Sequence, residues 1–459
     1  MPDSKIDPRA WQALAVVTLG TVFIGFSATA TNIAINDIEA GLGATSTQVG
    51  WGIAGYFIGT AALLPLGGRL ADRLGRRRVF LAGVLVFGLS SLIAGLAPNV
   101  WILDLARVAQ AAGGAALLPA SLSLVLPMFP ADRRSGVVGL WASAGPISAG
   151  IAPSAAAALI AALEWRSIYW IIAPVAALMW LVGRSTLVEV EVAAPTNRLD
   201  VVGAATGTIA VAGVVAAIMQ GRVWGYTAPA TLAVLAAAIV SGLVFARSTL
   251  RHPEPLLNLH LLTSRGVWVT NIGNFAVSIA SMSSWLVWPT FLSGVYGYST
   301  LGVGLGITIA PICASTSTIV FSRLSDRFGQ IPFIRLGTFL QIIAMTWQFT
   351  KLGTEVDYWS DFAPGLLLYG TGWGMSSPLQ NSLALASIDE RYFGELNGIF
   401  NTVRYTAGAI GTAVVFALLT VDTGPESLSH YDATLMFFAI SAAVAFVVSW
   451  VPLNDRSAG

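Results

Sequence analysis

From Val79 to Pro98 no residue carries a charge, and a second uncharged stretch runs from Ser135 to Leu163. Runs of this kind recur along the whole chain, each near the ~20 apolar residues that a helix needs to cross a bilayer. They do not alternate apolar with polar residues, so they are not barrel strands. Helices are the other way to pair every backbone N–H and C=O inside lipid. Composition agrees, because 55% of the 459 residues are hydrophobic, 10% are charged and the mean hydropathy is +0.74. That leaves too little polar surface to clothe a soluble globule of this size. The expected fold is an all-α integral membrane protein.

Fourteen transmembrane helices are expected, near 11–33, 46–68, 79–97, 101–127, 136–162, 167–183, 200–219, 228–247, 267–293, 300–321, 332–350, 362–386, 396–420 and 432–452. Lys5 and Arg9 precede the first apolar stretch as in a secretory signal peptide, but the spans that follow directly read it as a retained helix. With both termini cytoplasmic, most of the 24 basic residues fall on the cytoplasmic face, including the arginines from Arg69 to Arg78, Arg198, Arg391 and the tail residues Lys5, Arg9 and Arg456. Arg166, Arg222 and Lys351 depart from this pattern, and Arg107 and Arg404 lie within helices. The opposite face collects acids, among them Asp37, Glu39, Glu164, Asp422, Glu426 and Asp432. No connection is long enough for a soluble domain and none reads as a phosphate loop, so no ATPase subunit, nucleic acid or cofactor is expected. A single cysteine, Cys313, and three scattered histidines, His252, His260 and His430, offer neither a disulfide nor a metal site.

The segment GGRLADRLGRRRVF after the second expected span returns as FSRLSDRFGQIPFI after the tenth, with Asp326 and Arg327 standing where Asp72 and Arg73 stand in the first copy. Repeated loops of this form resemble the signature of the major facilitator superfamily, and fourteen spans resemble its drug:proton antiporter branch. Other stretches are similar to that branch in order. Arg107, Gln110 and Gly113 match its fourth-span motif, Gly145, Pro146, Gly150 and Pro153 its fifth, and Trp165-Arg166 leading to Pro174 its sixth; Gly394 to Gly398 and Asn401 to Arg404 match its thirteenth. One departure bears on mechanism, because Ser27 stands where the branch carries a first-span aspartate. The resemblance implies two six-helix halves, 1–190 and 266–459, with 191–265 as an inserted helix pair and its linkers.

Candidate roles follow. Gly68, Asp72, Arg73, Gly75, Arg76 and Arg77, with Asp326 and Arg327 of the second copy, form an expected gating loop. Anchoring alone explains the arginines but not Asp72, which the resemblance sets against the start of the thirteenth span near Gly394. Arg107 is costly inside a span and needs a partner, for which Asp104 at i−3 is the nearest in sequence. An intrahelical pair, a proton relay and an anionic-substrate contact all remain open there. Asp37 is a further candidate for proton coupling. Asn32, Gln110, Asn271, Asn274, Gln380 and Arg404 are expected along the substrate path or as interhelical glue. Trp285 and Trp288 are expected in an interfacial aromatic belt. The expected function is a proton-coupled exporter of small amphipathic molecules in the inner (plasma) membrane, with a small molecule, protons and the lipid bilayer as its partners and no enzymatic step. The alternatives are a facilitated transporter or importer of an anionic metabolite and a non-transporting receptor or scaffold.

Overall fold

The computed structural model describes residues 7–130, 133–142, 144–189, 200–252, 255–389, 392–419 and 428–452. Lys5, Arg198, Arg391, Asp422, Glu426, Arg456 and the expected boundary at 190/191 lie outside them. The described helices are α1 Pro8–Ile33, α2 Ile35–Leu42, α3 Ser46–Leu74, α4 Arg76–Gly95, α5 Val100–Val125, α6 Arg134–Ala142, α7 Ala144–Leu163, α8 Ser167–Trp170 and α9 Ile172–Thr186. They continue with α10 Val201–Trp224, α11 Pro229–Arg251, α12 Arg265–Gly294, α13 Thr300–Ile307, α14 Ile309–Phe328, α15 Ile331–Lys351, α16 Ala363–Ala386, α17 Phe393–Leu419 and α18 Leu428–Val448.

Helix stands at each expected position, yet among the described residues eleven helical stretches are long and apolar enough to cross a membrane, against the fourteen expected. The other three positions are those of α6 with α7, α15 and α16. The segment α7 contributes only the shorter apolar stretch Gly150–Leu163. In α15, Arg335, Gln341 and Gln348 dilute the apolar run, as glycines, Gln380 and Asn381 do in α16.

Helix starts follow local chemistry. Thr45 and Gln48 form a reciprocal capping box on α3, and the Asn99 side chain accepts from the Ile102 N–H at the start of α5. Small residues then let the helices approach closely. A Cβ on Gly370 or Gly374 of α16 would run into the backbone of Ala310 or Ala314 in α14, so these glycines set the distance between the two helices. The α3, α4 and α5 helices pack on one another, with α1 and α9 alongside; α12, α14, α15, α16, α17 and α18 make a second packed set. The sets meet where α3 lies on α17, and where α7, packed on α1, lies against α13, packed on α12. The α10 helix rests on α3 and α17, and Arg222 donates to the Ala417 carbonyl. Next to it, α11 packs on α10 and turns Leu232, Ile239 and Leu243 outward, as a lipid-facing helix does.

Candidate functional site

Helical spacing brings Arg107 and Gln110 onto one face of α5. Neighbouring helices complete a buried cluster around them. An Arg107 Nη donates to the Ser27 Oγ of α1 at 2.7 Å and to Gln110 Oε1 at 2.8 Å. Gln110 Nε2 donates to the Ser91 Oγ of α4 at 2.7 Å, and Ser27 Oγ lies 3.2 Å from Gln110 Oε1. The guanidinium sits 4.3 Å from the ring centroid of Tyr56 in α3, whose hydroxyl donates to the Ile24 carbonyl. Arg107 is 1% exposed, so these neutral contacts and the aromatic face carry its charge. Asp104 does not pair with it, so of the readings that the i−3 spacing left open the intrahelical pair is not the one formed. The long side chain of Arg107 reaches across to α1, while the Asp104 carboxylate lies against Gly52 of α3. Both Asp104 oxygens, together with Nε and the second Nη of Arg107, are buried without a hydrogen-bond partner.

The arginine-rich loop is a tight elbow. Between α3 and α4, Gly75 has φ +98°, a left-handed backbone that favours glycine, and Gly329 repeats it between α14 and α15 with φ +80°. Asp72 accepts from Arg76 one turn away, at 3.1 and 3.3 Å. Among the described residues this pair replaces the expected contact of Asp72 with the start of α17; once α3 ends at Leu74, Arg76 is the cation within reach. Instead, the α17 residue Glu395 accepts from Asn258 at 2.9 Å, and Arg69 donates to the Pro255 carbonyl at 2.9 Å. Arg77 donates its backbone N–H to Glu189 at 3.0 Å and its side chain to the Arg184 carbonyl at 2.6 Å. Gly68 packs on Pro119 of α5. Asp326 and Arg327 are exposed, and Arg327 stands over Phe328. Arg73 is exposed.

At the opposite end of the bundle, Asn36 donates to Ser293 at 3.0 Å and Thr300 to Asp37 at 3.5 Å. Burial raises the Asp37 carboxyl above its ordinary value, and the Thr300 hydrogen bond only partly opposes this. Deeper in, Asn274 donates to the Phe400 carbonyl at 2.9 Å and so joins α12 to α17, while Asn32 and Asn271 turn back onto carbonyls of their own helices. Gln380 lies beside Gly273 with its Oε1 unpartnered, and Arg404 stands over the Trp373 ring. Trp288 is not in a lipid-facing belt. It is 1% exposed, donates to Gln348 at 3.2 Å and meets Trp285 and Tyr369 edge to face. One helical turn of spacing places the two tryptophans together but does not say which side of the helix faces lipid.

Arg107 and Gln110 stand out in the sequence, whereas Tyr56, Ser91 and Glu189 do not. Glu189 lies outside the repeated motif, and nothing near it in sequence marks it. Ser27 was visible only as a departure from a pattern.

A family model described as Major Facilitator Superfamily matches residues 17–412. The chain is 28% identical to the puromycin resistance protein of Streptomyces alboniger, over 98% of this chain and 93% of that protein. It is also 28% identical to the methylenomycin A resistance protein of Streptomyces coelicolor, over 94% and 89%. With the multidrug resistance protein B homolog of Mycobacterium tuberculosis the identity is 27%, over 91% and 78%. In fold it is similar to a D-xylose–proton symporter, with a TM-score of 0.72 at 16% identity over 97% of this chain and 98% of the other.

Proposed function

This chain belongs to the Major Facilitator Superfamily and is a membrane transporter, not an enzyme; from that premise we propose that it exports small amphipathic molecules, antibiotics among them, in exchange for protons. Two six-helix halves, 1–190 and 266–459, rock about a central path, with 191–265 an inserted pair on their flank. The spans number fourteen in this reading, both termini are cytoplasmic and the membrane is the inner one. The near full-length relatedness to proteins named for resistance to puromycin, methylenomycin A and multiple drugs supports export.

Asp104 is the observation that carries proton coupling. It is a carboxylate within a spanning helix whose oxygens are buried and receive no hydrogen bond, one turn from a buried arginine. No hydrogen-bond donor holds it as a carboxylate, so it is placed to take up and release a proton as a carrier must. Proton entry down 100 mV supplies about 2.3 kcal/mol before any pH gradient is added. The paired elbows at Gly75 and Gly329, with Asp72 clamped to Arg76, act as the gate at the cytoplasmic end.

The test uses proteoliposomes with an acidic lumen and an internal pH dye. Adding one of the antibiotics for which the relatives are named should raise the lumenal pH, and Asp104→Asn should abolish that rise while the protein still inserts. Drug movement in the wild type without any pH change would replace antiport with facilitated diffusion.

A further inference from the structure

Arg404 is placed well inside α17, away from both its ends, as Arg107 is in α5. Among the described residues it makes no hydrogen bond and no ion pair; its guanidinium stands 5.8 Å from the ring centroid of Trp373 in α16. An unpaired guanidinium in a spanning segment is costly unless it meets water or a counter-charge. Both Arg404 and Trp373 are partly exposed. The described carboxylates of α12 to α18, Asp326, Glu395 and Asp432, stand near the ends of their helices and leave the interior of this set without an acid. Across from it, Phe57 of α3 tilts against Tyr405, the residue after Arg404, and Phe57's neighbour Tyr56 lies beneath Arg107. The two arginines therefore flank one aromatic strip. Hydroxyl and amide oxygens meet the charge of Arg107, whereas among the described residues no side chain hydrogen-bonds or ion-pairs with Arg404.

Resting on the transporter reading above, we propose that Arg404 and Trp373 form the subsite for the acidic group of the cargo, which is an organic anion carrying an aromatic ring next to a carboxylate or similar group. The acid is held by the guanidinium fork and the ring by the indole face. Both partners stand on helices of the same packed set, α16 and α17, so rocking of the halves need not part them. An inside-negative potential pushes such an anion outward, in the same direction as export.

A matched pair of probes tests the charge. 4-Nitrobenzoate and (4-nitrobenzyl)trimethylammonium share a ring and differ in sign, and their binding to the full-length protein in lipid nanodiscs is read by isothermal titration. Saturable binding of the benzoate and none of the ammonium probe is expected, with affinity weakened about tenfold or more in Arg404→Gln and largely retained in Arg404→Lys. Trp373→Leu should weaken it as well, which keeps the test open where Arg404→Gln fails to fold. Tighter binding of the ammonium probe, or benzoate binding indifferent to both substitutions, overturns the subsite. Benzoate that binds in this pattern but is not carried across proteoliposomes sinks the exporter reading and leaves the subsite standing.

Discussion

A guanidinium buried among helices has to have its charge met, and around Arg107 it is met by hydroxyl and amide oxygens rather than by a carboxylate. Such contacts are weaker than an ion pair, and removing one leaves a buried charge more exposed to its own desolvation cost. Ser27→Asp sets a carboxylate where the 2.7 Å contact now lies. The variant is expected to melt higher in scanning fluorimetry and to shift selectivity from anionic toward cationic cargo; an unchanged melting point would show that Arg107 is already fully compensated. Gln110→Leu removes an acceptor from Arg107 and the donor to Ser91 together, and should lower stability by about 2–4 kcal/mol. Arg107 and Gln110 were legible in the sequence because a charge and an amide announce themselves in an apolar run. Tyr56 and Ser91 were not, since their membership depends on how α3 and α4 rotate against α5, and small hydroxyls are common wherever membrane helices pack.

Two helices joined through one glycine form an elbow whose shape the glycine sets. At Gly75 a side chain meets strain twice, because φ is +98° and a Cβ would press on the Glu189 carboxylate. Gly75→Ala is therefore expected to cost about 1 kcal/mol or more and to loosen the Glu189 contact with the Arg77 N–H; thermal denaturation of Gly75→Ala against Glu189→Gln separates the two terms. Asp72→Asn is a different kind of change. Its partner Arg76 is partly solvated, so the exposed pair contributes little to stability, and the expected outcome is a protein that melts normally but transports more slowly in proteoliposomes. Unaltered transport would reduce the loop to a topology anchor. The elbow was readable because R-L-x-D-R-x-G occurs twice with its glycine at the turn. The Asp72–Arg76 pair was not, since five arginines within ten residues gave the sequence no way to choose among them.

At the scale of the whole bundle, long uncharged runs marked where helices lie, but not which of them have enough apolar surface to cross; α15 and α16 gather Gln341, Gln348 and Gln380 on buried faces where neighbouring helices, not lipid, are their environment. The contacts between the two packed sets are the part no periodicity reveals. At the end away from the elbows they include Asn36 with Ser293 and Thr300 with Asp37, while Ser154 of α7 meets Thr308 at the joint between α13 and α14. Asp37 is expected to make this closure sensitive to pH. Its carboxyl is raised by burial in the closed arrangement, and an open arrangement that solvates it returns it toward its ordinary value near 3.8. A group raised in one state stabilises that state when protonated, so closure is favoured in full below the ordinary value and that contribution is lost as pH rises through the raised one. Glu39 on the same short helix is also raised by burial, with Ser46 beside it opposing the shift, and is expected to add to the dependence where opening solvates it. Spin labels on α2 and α13, introduced with Cys313 replaced, should therefore report a growing population of short distances as pH falls from 7 toward 4. Asp37→Asn should shorten the distances at neutral pH and flatten most of the dependence, with Glu39→Gln added to remove the rest. A wild-type distance distribution that does not change over that range would mean that the closure is held by Asn36, Ser154 and helix packing alone, with no part for the titration of Asp37.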